Sequence, residues 1–155
     1  MPEKDIIRQH VIFSLGKQKY GIDVMDSREI ISPDNLTSIP EAPSFIEGVI
    51  DLRNQIIPII NLSKKLSLNL ELNLDNSKVI IISVENELLG LMVKEVVEIS
   101  DLNQKEISET PEITKKIDSN YIEGVANLND ELIIIIKTNN LLQNNELKKI
   151  KRIDV

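Results

Sequence analysis

One stretch of this chain occurs twice. Phe45-Ile46-Glu47-Gly48-Val49-Ile50-Asp51-Leu52-Arg53-Asn54-Gln55-Ile56-Ile57-Pro58-Ile59-Ile60-Asn61 returns as Tyr121-Ile122-Glu123-Gly124-Val125-Ala126-Asn127-Leu128-Asn129-Asp130-Glu131-Leu132-Ile133-Ile134-Ile135-Ile136-Lys137. Ile-Glu-Gly-Val is identical in both, an aromatic residue precedes it, and a leucine follows three residues later. Each stretch reads as a β-hairpin, two apolar β-branched runs around a short polar tip. The correspondence extends upstream. Laying Gly21 on Gly90 also lays Ser14 on Ser83 and Glu29-Ile30 on Glu98-Ile99. Val96 to Ile99 is β-branched and reads as strand, so Met25 to Ile31 is expected to turn and then run as strand too. The hairpins align only after a seven-residue insertion in the second copy, which falls in the loop Asp101 to Ser119. A period this long does not describe a solenoid. The expectation is all-β with minor helix, in two barrels of about five short strands each. The first unit is expected at about 9–68 and the second at about 77–142, with polar Asn69 to Ser77 linking them.

The remaining segments follow from local chemistry. Val11 to Leu15 and Tyr20 to Val24 read as strands around a Gly16 to Lys19 turn. Gly21, inside a strand, predicts a bulge or a close approach. Ser32-Pro33-Asp34-Asn35 is turn chemistry, Leu36 to Ile39 a short strand, and Pro40 and Pro43 flank a loop. Pro58 has no N–H, so its strand is expected to bulge or to pair on one side only. Leu62 to Leu68 predicts a short helix or turn, matched by Thr138 to Leu142. Val79 to Val84 and Leu88 to Val93 form the second copy's first hairpin, turning at Glu85-Asn86-Glu87. Residues 143–155 predict a C-terminal helix or tail, with helical spacing at Leu147 and Ile150.

Composition narrows the function. The 155 residues suffice to bury roughly 70% of the unfolded surface without covalent staples. Cysteine is absent, which removes disulfides and thiolate metal sites and suits a reducing compartment. A net charge of −7 argues against nucleic acid or an anionic membrane as a general partner. No apolar run nears the roughly 20 residues of a membrane span, and Met1-Pro2-Glu3-Lys4-Asp5 opens no signal-peptide apolar region. Catalytic chemistry is sparse. His10 is the single histidine and reads as a polar residue at a strand start. No serine sits in a nucleophile elbow, the five glycines form no phosphate loop, and no acidic spacing resembles a Ca²⁺ loop. The basic run Lys148-Lys149-Ile150-Lys151-Arg152 reads as a solvated helix face. No catalytic residue, metal or cofactor is therefore expected. Arg53 stands out by position, at a tip where the second copy has Asn129, and Glu29 by lying on a strand common to both copies.

The chain resembles the CheW family from His10 to Leu142. The resemblance rests on Val11-Ile12-Phe13-Ser14-Leu15-Gly16, Tyr20-Gly21-Ile22-Asp23-Val24, Arg28-Glu29-Ile30-Ile31, and Ile39-Pro40 through Phe45-Ile46-Glu47-Gly48-Val49-Ile50-Asp51-Leu52-Arg53. It continues through Ile56-Ile57-Pro58-Ile59-Ile60-Asn61-Leu62, Leu89-Gly90-Leu91-Met92-Val93 and Tyr121-Ile122-Glu123-Gly124-Val125. It implies a single CheW-like domain over 8–148, with two SH3-like five-stranded barrels around a shared core. It also implies a non-enzymatic cytoplasmic adaptor that couples the cytoplasmic tip of chemoreceptors to the regulatory domain of the histidine kinase CheA. By resemblance, the partner-binding residues are Ser27, Glu29, Gly48, Arg53 and Asn54. Where the family tip usually reads Asn-Leu-Arg-Gly, this chain has Asp51-Leu52-Arg53-Asn54; Ser27 stands where an apolar residue is common. The alternatives are an adaptor of a non-chemotaxis signalling array, or a small hydrolase or nucleotide-binding protein. Partner capture separates the first from the adaptor reading, and turnover or nucleotide affinity the second.

Overall fold

The computed structural model describes residues 6–108, 117–142 and 146. Its strands are β1 (Ile7–Leu15), β2 (Gln18–Asp23), β3 (Ser27–Ile31), β4 (Ile46–Leu52), β5 (Gln55–Asn61), β6 (Lys78–Val84), β7 (Glu87–Val93), β8 (Glu95–Asn103), β9 (Ile122–Leu128) and β10 (Glu131–Ile136). One α-helical turn, α1 (Leu62–Lys65), follows β5, capped by the Asn61 side chain on the Lys64 N–H. Three hairpins turn on two residues with positive φ at both: Arg53-Asn54, Glu85-Asn86 and Asn129-Asp130. That backbone matches the right-handed twist of the flanking strands.

The strands form two five-stranded sheets, ordered β8-β1-β2-β10-β9 and β3-β6-β7-β5-β4. This corrects the expected division into units at about 9–68 and 77–142. The copies exchange hairpins: β1–β2 of the first shares a sheet with β9–β10 of the second, and β6–β7 with β4–β5. The joins are parallel, Ile133↔Lys19 to Ile135↔Gly21 in one sheet and Ile59↔Gly90 to Asn61↔Met92 in the other. The sequence equivalence survives the exchange. Across one sheet run Ile12, Gly21, Ile135 and Gly124; across the other run their counterparts Ile81, Gly90, Ile59 and Gly48.

Neither hydrogen-bonded ladder closes into a barrel. Each sheet curls instead, and one residue pair spans the gap: Thr37 with Val49, and Ser108 with Val125, each through two backbone bonds of 2.8–2.9 Å. Leu36 to Ile39 is therefore not a strand but a single bridge at Thr37. Gly48 permits it. Its φ is +154°, and a Cβ there would lie 2.2 Å from the Thr37 carbonyl oxygen. Other local expectations shift slightly. Tyr20 to Val24 stops at Asp23, whose carboxylate caps a 3₁₀ turn at Val24–Asp26. β8 extends to Asn103, into the expected loop, because it pairs with β1 along its length. Gly21 sits in regular pairing; its reason is close approach, with Ile12 and Ile135 methyls 3.2 Å from where a Cβ would be. Pro58 faces Val49 in β4 and lies outside the β5–β7 ladder, so it pairs on one side only. His10 is buried within β1, its Nδ1 3.1 Å from the Arg8 carbonyl. Apart from Glu146, the expected C-terminal helix over 143–155 lies outside the described residues.

Each sheet packs on both faces. Between the sheets lies the largest cluster, including Val11, Phe13, Tyr20, Ile22, Ile60, Ile80, Leu91 and Ile136. Each curl then encloses a small core of its own: Ile50, Ile57, Ile59, Val79, Ile81 and Met92 in one sheet, Ile12, Leu102, Ala126, Ile133 and Ile135 in the other. The narrow interior of the curl explains the glycines at 21 and 90. At Gly90 an added Cβ would meet Ile59 at 2.5 Å and Val79 at 2.8 Å.

Candidate partner-binding site

Glu29 and Arg53 come from opposite edges of one sheet. Glu29 lies on β3 and Arg53 in the β4–β5 turn, and the curl brings them together. Arg53 Nη2 donates to Glu29 Oε2 at 2.7 Å. The hydrogen bond first, and the carboxylate charge second, hold the guanidinium above its usual pKa. The arginine side chain is 74% exposed and the glutamate 31%, so the pair is a surface feature that a partner can reach. Arg53 and Asn54 have φ of 51° and 67°, which points the tip outward as a two-residue turn.

The other expected site residues divide. Asn54 sits beside Arg53 at the tip. Ser27 lies two residues before Glu29 on the same strand, but its hydroxyl is engaged, donating to the Val24 carbonyl at 2.7 Å. A bulge between Ser27 and Glu29 leaves Arg28 unopposed by β6. Gly48 is buried in the middle of β4 and offers no surface of its own. Its contact is with the Thr37 backbone, so it acts on the site only by shaping the edge.

Reading the residues in order passes over a set of exposed apolar side chains. On the face shared between the sheets, one row runs Ile30, Ile80, Leu91, Ile60, Ile46, and its counterpart has Ile99, Val11 and Ile22 followed, one residue beyond the Gly21↔Ile135 pairing, by Ile136 and Ile122. The inner members are buried; Ile30 and Ile99, on edge strands, are 44% and 57% exposed. Ile56 and Leu132, at equivalent positions just after the hairpin tips, are also exposed. The sequence signal for these residues is equivalence between copies, but exposure depends on which strand ends the row. Their charged neighbours differ: Arg53 precedes Ile56, whereas Asp130 and Glu131 precede Leu132. Single exposed apolar residues are ordinary; these recur at equivalent positions of the two copies.

The chemistry elsewhere is thin. A crevice of about 770 Å³ opens beside the start of β1, lined by Arg8, Asp23, Met25, Asp26, Glu123 and Lys137 among others. Arg8 is committed to Asp23 there, and Asp26 accepts from Thr138. Among the described residues no cluster of His, Asp or Glu has metal-binding geometry, and no helix is long and apolar enough to cross a membrane.

A family model described as the CheW-like domain matches residues 9–146. The chemotaxis protein CheW of Treponema pallidum is 33% identical over 147 residues, covering 92% of this chain and 86% of that protein. The chemotaxis protein CheW of Klebsiella aerogenes is 31% identical over 140 residues, covering 90% and 84%. Among solved structures, the scaffolding protein TtCheW from Thermoanaerobacter tengcongensis superposes with a TM-score of 0.82 at 35% identity, covering 94% of each chain.

Proposed function

The chain belongs to the CheW-like domain family, and from that premise we propose that it is a chemotaxis adaptor, a scaffold rather than an enzyme. Its partners in this reading are the regulatory domain of the histidine kinase CheA and the cytoplasmic tip of a chemoreceptor. It works in the cytoplasm and reaches membrane receptor arrays through those partners. In this reading each curled sheet is an incompletely closed, SH3-like barrel; the enclosed core on one face and the single bridging pair across the gap support it. Apolar side chains at the barrel ends, Ile56 beside the Arg53 tip and Leu132 beside Asn129-Asp130, serve barrel-to-barrel docking. Ser27, Glu29, Gly48, Arg53 and Asn54 form or shape the surface that engages receptor and kinase.

The observation that carries this proposal is the exposed Glu29–Arg53 pair at a tip whose counterpart in the second copy has no arginine. If Arg53 served folding, the Asn129 tip would need a substitute. Arg53→Glu is expected to fold normally and to lose activation of the kinase in a reconstituted receptor–kinase assembly, since it sets like charge against Glu29 and any acidic partner. Glu29→Lys is expected to act in the same direction. Full activation by a well-folded Arg53→Glu protein rejects the assignment; a collapsed melting temperature assigns Arg53 to structure. Because the docking residues are apolar at the centre, raising salt from low to moderate is expected to weaken kinase binding only slightly. A steep loss would instead indicate charge-dominated docking.

A further inference from the structure

Lys65 is a buried lysine at a position whose counterpart in the second copy is Leu141. Its side chain is 6% exposed. Nζ bonds both carboxylate oxygens of Glu146, at 2.9 and 2.8 Å. The same nitrogen lies 4.3 Å from the Phe45 ring centroid and 5.5 Å from that of Tyr121. Phe45 and Tyr121 are equivalent residues of the two copies, each just before a hairpin, and they belong to different sheets' hairpins. One ammonium therefore touches both halves of the duplication at the point where they correspond. An apolar residue, like Leu141, would satisfy the packing; a buried ammonium is retained only with a carboxylate and ring faces to receive it.

We propose that Lys65 and Glu146 form a clasp that fixes the relative placement of the two sheets. The lysine is the cation at the seam, and Glu146, beyond the last described core residue Leu142, is the anion that completes it. Extending this to signalling rests on the adaptor reading: if the two partner surfaces sit on different sheets, the clasp sets the angle at which they are presented.

Two backbone bonds report on the clasp separately. The Asn61 amide donates to the Phe45 carbonyl at 2.7 Å, and the Lys137 amide donates to the Tyr121 carbonyl at 2.8 Å. One lies in each sheet. Glu146→Gln leaves the ammonium buried without its counter-charge, which costs more than removing both charges. Hydrogen exchange of the isolated full-length protein is expected to quicken by about tenfold at both amides in Glu146→Gln. Adding Lys65→Met is expected to return part of that protection. No change at either amide, or a change at Asn61 alone, overturns the clasp. Both outcomes are read without any partner, so they are independent of the adaptor reading, which fails separately if the wild-type protein binds neither kinase nor receptor fragments.

Discussion

Arg53 holds a backbone conformation better suited to its counterpart. Its φ is 51°, and Asn129 at the equivalent tip has 53°; asparagine occupies this region far more readily than long side chains do. Arg53→Asn is therefore expected to raise the melting temperature while weakening assembly with kinase and receptor. Glu85, with φ of 50° in a tip outside the site, provides the control: Glu85→Asn is expected to raise the melting temperature and leave assembly unchanged. A lower melting temperature in both variants would show that the turn backbone is not what limits them. Tyr20 supplies a residue-level pH dependence. It is buried, stacks on Phe13 at 5.8 Å between centroids, and burial pushes its phenol up to about 12. The unfolded chain loses that proton near pH 10 while the folded one keeps it. Above pH 10 the unfolded state thus binds fewer protons, and stability falls until the folded phenol ionises too. Urea titrations are expected to show a loss of about 2 kcal/mol between pH 10 and 12 from this group, and Tyr20→Phe to remove it. A Tyr20→Phe protein with the same alkaline loss would refute the assignment.

At the scale of strands, the glycines separate into two kinds. Gly48→Ala places a methyl against the Thr37 carbonyl, backbone that cannot turn aside, and is expected to cost about 1–3 kcal/mol. Gly21→Ala meets only isoleucine methyls at 3.2 Å and is expected to cost less. Chemical denaturation of the two proteins tests the order; equal costs would mean that the Thr37 bridge yields freely. Most strands and the paired hairpins were legible in the sequence, because alternation and turn residues specify them locally; Leu36 to Ile39 was the exception, and of the two outcomes open at Pro58 the structure has one-sided pairing. The exchange of hairpins was not. Ile12-Gly21 meets Ile135 and Ile81-Gly90 meets Ile59, and each glycine would meet an isoleucine of the same kind if the partners were traded. Duplication makes the two arrangements alike in local contact, and only the connections between hairpins tell them apart. Of the proposed surface, the charged residues were the ones that stood out in the sequence. A charged tip and a charged residue on a duplicated strand stand out, whereas Ile30 and Ile99 read as core until the row they end is known.

At the scale of the molecule, neither half holds a complete sheet. Cut within Asn69 to Ser77, the first half keeps the β1–β2 and β4–β5 hairpins but loses every neighbour that joins them. Isolated hairpins are at best marginal in water. Separate fragments 1–72 and 73–155 are expected to lack strand signal in circular dichroism, and an equimolar mixture to recover it. A single fragment that unfolds cooperatively by itself would contradict the exchanged arrangement. The same arrangement has a consequence in time. Gln18 in β2 donates to the Leu132 carbonyl in β10, 114 residues away. Contacts this distant in sequence slow folding, and in a chain made from its N-terminus β2 pairs with β1 at once but has no second neighbour until β10 has been synthesised. During translation the β1–β2 hairpin must therefore wait with Ile12, Ile22 and Tyr20 uncovered, a long interval of sticky, unfinished surface. For this protein the ribosome has supplied every strand of one sheet by Val93, but must reach Ile136 before the other sheet is complete.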